Sequence, residues 1–207
     1  MFQDYIIKGG IEWMLPIVFL SVIALALAME RAFFWCCYFS KNRQYRKNLK
    51  KINASSFSIE RAIEYLSDSS HPVMKALHLF LKQLKQSNVN SAEEIAGNEV
   101  DRIVTDSRAG LDVLTFIANV SGTLGLLGTV VGVSMALEDV GLGDPTKLTE
   151  ALSIALYTTV AGVMLFLFSY FFFFLFNKFS NGLESELVYQ VNTIKSYSQI
   201  RSSIAKR

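Results

Sequence analysis

Three stretches of the chain, Trp13 to Phe39, Leu111 to Leu137 and Leu148 to Phe176, are apolar over lengths that a surface helix of a globular protein does not need. A helix crosses a hydrocarbon layer of roughly 30 Å with about 20 apolar residues. Each stretch exceeds that, so the pattern predicts three spans. The segment between the first two, residues 40–109, reads as helical with polar punctuation. Pro72 stands where a first helical turn tolerates it, and Val73, Ala76, Leu77, Phe80, Leu81 and Leu84 follow at the spacing of one helix face. Ser91 with Glu94 has the capping-box pattern. No proline follows from Ile95 to Ser107, so this helix is expected to run without a break into the second span, as a rod projecting from the membrane. Gly141, Gly143 and Pro145 predict a tight turn in which Asp144 caps the helix that Pro145 begins.

The expected protein is an all-α membrane protein whose long helices extend into a cytoplasmic helical domain. In chain order it has a periplasmic N-terminal segment (1–12), a first transmembrane helix (13–39) and the cytoplasmic domain (40–109). A second transmembrane helix (110–138), a periplasmic turn (139–147), a third transmembrane helix (148–177) and a cytoplasmic C-terminal helix (178–207) complete it.

Composition agrees with that division: 51% of the residues are hydrophobic yet 18% are charged, which requires apolar blocks beside a wet portion. The net charge of +2 says little, whereas its placement sets the orientation. Between Lys41 and Lys51 there are six basic residues and no acid, which marks the end of span one as cytoplasmic. The connection between spans two and three carries Glu138, Asp139, Asp144 and Glu150 against Lys147 alone, and the C-terminus ends in Arg201, Lys206 and Arg207. The N-terminus and the acidic hairpin are therefore expected outside, with the long loop and the tail inside. A secretory leader is rejected, because Asp4 and Glu12 oppose Lys8 and the apolar run continues through Phe33, Phe34 and Trp35.

Little in the chain suggests catalysis. Cys36 and Cys37 are adjacent, so they form no disulfide framework and read as small apolar residues or an acylation site. His71 and His78 lie in a polar region without a ligand cluster and read as solvated helix residues. No metal site, cofactor site, phosphate loop or nucleophile with its base is present, and no nucleic-acid motif; the basic run suits the anionic lipids of the inner leaflet.

Spans two and three carry the chemistry. Span two is rich in small and hydroxylic side chains, with Thr115, Gly122, Thr129 and Ala136 aligned at sevenfold spacing and Ala118, Gly125 and Gly132 beside them. Gly128 and Gly132 form a GxxxG pair, a pattern that lets helices approach closely. In span three Ala151, Ala155, Thr158, Gly162 and Ser169 share a face with Thr159 at its edge, while Val163 to Phe176 is aliphatic and aromatic. Small faces serve packing as readily as a channel, and a threonine hydroxyl can satisfy itself on the preceding turn. No span has an ionisable residue near its middle: Glu30, Arg31, Asp112 and Glu150 all lie toward span ends. Membrane proton relays use such groups. A proton path here needs a carboxylate from another chain.

The runs Gly110 to Ala118 and Gly125 to Gly132 resemble the second-span signature of the ExbB/TolQ/MotA proton channel family. Glu30-Arg31 and the order of spans and loops are similar as well. The resemblance implies a ring, typically a homopentamer, around two copies of a single-span partner of ExbD/TolR/MotB type with a membrane Asp. It also implies use of proton flow for mechanical work across the envelope, possible contact with a TonB/TolA-like protein, and an alternative as a flagellar or gliding MotA-like stator. By position, Thr129 and Thr159 match the family's pore threonines, with Thr115, Thr158 and Tyr157 as further candidates, and Gly122, Gly125, Gly128, Gly132 and Gly162 as helix-packing positions. Ile154 stands where ExbB and TolQ usually carry a membrane Glu, and Gly122 where they commonly carry Pro. The Leu156 to Gly162 run is closer to the MotA form of span three. From the residues alone, an oligomeric scaffold without conduction remains the competing reading.

Overall fold

The computed structural model describes residues 11–54, 63, 66, 71–86, 89–142 and 145–205. The elements among them are five helices: α1 (Ile11–Ala54), α2 (Pro72–Gln86), α3 (Val89–Arg108), α4 (Leu111–Leu142) and α5 (Pro145–Ala205). Three stretches are long and apolar enough to cross a membrane, at Met14–Lys41, Glu94–Glu138 and Leu148–Thr193. The chain divides into two compact units, one of Met1–Arg31 with Gly110–Phe176 and one of Ala32–Ala109 with Asn177–Arg207.

Leu111, Ile117 and Phe176 are buried in the first unit, and its other buried positions mostly recur at steps of three or four residues. They are Met14, Ile17, Ala24, Ala28 and Arg31 on α1, and Leu114, Ala118, Ser121, Gly125, Gly128, Gly132 and Ala136 on α4. On α5 they are Ala151, Ala155, Thr158, Gly162, Leu165 and Ser169. A mean step near 3.5 is the period of helices packed along a left-handed seam. Between α4 and α5 the middle of the seam buries small residues, from Ser121 to Ala136 and from Ala151 to Gly162, while large ones are exposed: Phe116 is 61% exposed, Val130 67%, Leu156 67% and Met164 67%. In water this would invert the usual order. Lipid tails are as apolar as leucine, so membrane helices associate through close packing of small residues and leave bulky side chains outside.

One expectation is corrected here. No unbroken rod joins α3 to the second span: α3 ends at Arg108, Ala109 and Gly110 form a turn, and α4 starts at Leu111. Gly110 has φ of 76°, a left-handed conformation in which glycine alone escapes a Cβ penalty. The Leu114 N–H donates to the Gly110 carbonyl at 3.1 Å, which opens the new helix. A Cβ on Gly110 would lie 3.3 Å from Leu27 Cδ2. Gly110→Ala is therefore expected to lower stability by about 1–2 kcal/mol, the cost of a left-handed residue with a side chain. Thermal unfolding of the detergent-solubilised protein measures it, and a variant as stable as the parent would show that Gly110 does not set the break.

Two end signals also shift. α3 has already begun at Val89, so Ser91 lies inside the helix and not at its cap. Gly141 belongs to α4, which leaves a shorter link than the glycine spacing suggests. Gly143 and the cap expected of Asp144 fall outside the described residues.

In the second unit α2 packs on α3, with Val73, Met74, Ala76, Leu77, Phe80 and Leu81 no more than 2% exposed. That matches the face read from the spacing; the side chain of Leu84 is outside the description. Arg108 Nη2 donates to Asn181 Oδ1 at 2.8 Å and to Glu184 Oε2 at 2.7 Å, and Ser180 Oγ donates to the Ser107 carbonyl at 3.2 Å. These bonds pin the end of α3 to α5. Trp35 is 2% exposed and its ring centroid lies 5.4 Å from that of Phe179.

His71 is not a solvated helix residue, and His78, which is on α2, is solvated only in part. His71 precedes α2, is 2% exposed and lies beside Tyr38, with ring centroids 4.9 Å apart. His78 is half-buried with Nδ1 3.2 Å from the Ile63 carbonyl. Tertiary packing buries the His71 ring and covers part of His78, and no local pattern reports that. Cys36 and Cys37 are exposed free thiols.

Candidate functional site: the hydroxyl pair on the α4–α5 seam

The closest approach of α4 and α5 runs through glycines. A Cβ on Gly162 would lie 2.5 Å from the Ser121 carbonyl oxygen and 2.8 Å from Gly125 Cα. One on Gly132 would lie 2.7 Å from Ala155 Cβ, and one on Gly128 would collide with the Thr158 hydroxyl and Cβ. Gly125 faces Gly162 Cα and the Thr158 carbonyl, each 3.3 Å from its virtual Cβ. Gly122 is looser, with Phe166 Cδ2 at 3.7 Å. Backbone thus touches backbone across the seam, which lets short hydroxyl side chains at its edge reach one another.

Thr129 on α4 and Thr159 on α5 do so: their Oγ1 atoms are hydrogen-bonded to each other. Both are half-buried. The Gly125 carbonyl accepts from Thr129 Oγ1 and from Thr159 Oγ1, each at 3.1 Å, and the Ala155 carbonyl accepts from Thr159 Oγ1 at 2.8 Å. Two hydroxyl protons thus face more acceptors than they can fill at once. Each hydroxyl can reorient at little cost and accept a bond from a water or a protonated carboxyl. Neither ionises at neutral pH, so the pair can relay a proton along its hydrogen bonds but cannot store one.

The other candidates divide. Thr158 is fully buried against Gly128, with its hydroxyl returned to the Ile154 carbonyl at 2.9 Å, so within one subunit it fills the seam. Thr115 is half-buried and bonded to the Leu111 carbonyl at 3.2 Å; Tyr157 is half-buried. Glu30 forms a 2.6 Å ion pair with Arg31, and Asp112 and Glu150 are exposed. None of these carboxylates is beside the threonine pair. Asn119 and Thr123, which the sequence reading passed over, are exposed on α4. The signal was an amide side chain in the middle of an apolar run.

Small-residue seams that carry paired hydroxyls and bulky outward faces define a polytopic helical membrane protein with a polar line inside its apolar spans. The chain belongs to the MotA/TolQ/ExbB proton channel family, whose model matches residues 67–189. It is 26% identical over 172 residues to a biopolymer transport protein described as ExbB-like 1 from Synechocystis sp., a match covering 80% of this chain and 66% of that one. It is 34% identical over 97 residues to biopolymer transport protein exbB1 of Vibrio cholerae, covering 45% of this chain and 40% of that one. The chain thus spans less than two thirds of the length of either relative.

Proposed function

We propose that the chain is the channel-forming stator subunit of a proton-driven motor. Several copies, in the pentameric arrangement that the family resemblance implies, surround a dimeric single-span partner that brings a membrane Asp. The observation that carries this reading is the Thr129–Thr159 hydroxyl pair at the edge of the seam, in spans that hold no acid of their own at that level. An aspartic acid brought alongside would find two adaptable hydroxyls and no competing charge, so its proton could be taken up and released as the partner turns. Thr115, Thr158 and Tyr157 belong to the same wall, with Thr158 setting the helix distance behind the pair. Ile154 in place of a second acid leaves the partner's Asp as the one carboxyl at the level of the threonine pair. The basic flank at Lys41 to Lys51 supports an orientation with the long loop and the C-terminal tail in the cytoplasm of a bacterial cell and the α4–α5 hairpin facing the periplasm.

The test is Thr129→Val with Thr159→Val, which keeps shape and removes both hydroxyls. Proton flux through the complex in vesicles should fall on the order of a hundredfold, the usual worth of a positioned proton-transfer group. Native mass should show the same assembly. Unchanged flux would remove the threonines from the path, and an assembly that never conducts would favour a scaffold.

A further inference from the structure

One stripe on the outward face of α4 changes character along its length, beside exposed Val113 and Phe116. On the half nearer Gly110 it carries Asp112, Asn119 and Thr123, all exposed, with Thr115 half-buried alongside. On the half nearer Leu142 it carries Leu126, Val130, Val133 and Leu137. On α5 the hydroxyls Thr149, Ser153 and Thr159 lie toward Pro145, interleaved with exposed Leu152, Leu156 and Val160, and past Gly162 come Met164, Leu167, Phe171 and Phe174. The helices run antiparallel, since Gly122 meets Phe166, Gly125 meets Gly162 and Gly132 meets Ala155. The hydroxyl-bearing stretch of each therefore lies at the level of a bulky apolar stretch of the other, and the Thr129–Thr159 pair stands between the two.

Asn119 makes this more than a scatter of hydroxyls. The Thr123 hydroxyl is returned to its own helix, on the Asn119 carbonyl at 3.1 Å and the Val120 carbonyl at 2.9 Å, so threonine can face lipid without loss. A carboxamide offers two donors and an acceptor that its own helix does not satisfy, and hydrocarbon offers nothing in return. An exposed Asn in a spanning segment faces water or another polar group. Asp112, Thr115 and Asn119 stand at i, i+3 and i+7, on one side of the helix.

We propose that the proton path changes helices at the Thr129–Thr159 pair. Thr149, Ser153 and Thr159 of α5 line the half toward Pro145, and Thr115, Asn119 and Asp112 of α4 line the half toward Gly110. Water held against Asn119 hands the proton to the Asp112 carboxylate, which gives it up to bulk water beyond Gly110 and returns to its charged form. An acid in the first turn of α4 also complements the helix dipole. That role alters stability, whereas the path role alters flux. The inference rests on the channel reading above.

The complex of the full chain with its single-span partner, in vesicles under an imposed pH gradient with an internal pH dye, tests it. Asn119→Leu and Asp112→Asn should each cut flux on the order of a hundredfold at unchanged assembly mass. Asn119→Gln and Asp112→Glu should keep most of it, and Val130→Ala, on the apolar half of the same face, should conduct as the parent does. Full flux in Asn119→Leu and Asp112→Asn, while the double threonine variant is silent, would overturn the helix change and leave the channel standing. Assemblies that fall apart on Asn119→Leu, with Asp112→Asn conducting normally, would make Asn119 a subunit contact and overturn it as well. A parent complex that conducts no protons would overturn the channel reading itself.

Discussion

Gly162→Val is expected to lower stability by about 3 kcal/mol or more and to abolish coupling, because it sets side-chain carbon against backbone on the opposite helix. Its Cβ would lie 2.5 Å from the Ser121 carbonyl oxygen, 2.8 Å from Gly125 Cα and 3.0 Å from Gly125 N. No rotamer relieves a clash made by Cβ with main chain. α4 and α5 must move apart, and overpacking alone costs about 1–3 kcal/mol. Separation also undoes what the seam holds at its edge, because Thr159 then loses the Gly125 carbonyl and the Thr129 hydroxyl together. Gly182 is the matched control: nothing lies within 4 Å of its virtual Cβ. Gly182→Ala should raise stability by up to about 1 kcal/mol through helix propensity alone. Thermal unfolding of both variants in detergent, beside the parent, gives the comparison. Equal stability for Gly162→Val and the parent would mean that the two helices do not touch at this point.

The three spans were legible because hydropathy over some twenty residues depends on no partner. The seam was legible in outline. Placing residues at 100° intervals put Thr115, Gly122, Thr129 and Ala136 on one line, with Ala118, Gly125 and Gly132 beside it. The buried seam follows the second line, through Ala118, Gly125 and Gly132, and leaves Thr115, Gly122 and Thr129 half-buried at its margin. The reason is geometric: two backbones meet where the residues are smallest, so a hydroxyl next to a glycine is pushed to the edge. That displacement is also what makes Thr129 and Thr159 available to a third helix, whereas Thr158, one residue away, is spent on packing. The helix break was harder to read. Gly110 was in plain view, yet glycine is tolerated within apolar helices, and only its positive φ distinguishes a stop from a pause. Asn119 was missed for a similar reason: set among hydroxyls it reads as one more small polar residue, and its exposure is a fact of packing.

Acidification should destabilise the second unit through His71, in a window that its environment defines. Burial pushes the imidazole down to about 4 from an ordinary 6.5, Lys41 adds to the depression and Glu186 opposes it in part. Below the ordinary value the unfolded chain takes up a proton that the folded one refuses, so proton uptake favours unfolding and stability rises with pH across the interval. The contribution of His71 to the slope fades above the ordinary value of 6.5 and is negligible by about pH 8. From about 6.5 down to about 4 the loss accumulates to about 3 kcal/mol, and below that it levels off as the folded ring is protonated too. Carboxylates titrate in part of this range, so the measurement is a difference: His71→Gln keeps a polar planar group that does not titrate. The parent should lose melting temperature more steeply than His71→Gln between pH 6.5 and 4, and the two curves should run parallel above about pH 8. Parallel curves throughout would mean that the His71 ring charges as readily in the folded chain as in the unfolded one. Its place beside Tyr38, 4.9 Å from ring to ring, argues against that, because a charged imidazole there gives up its hydration for an aromatic neighbour and a lysine.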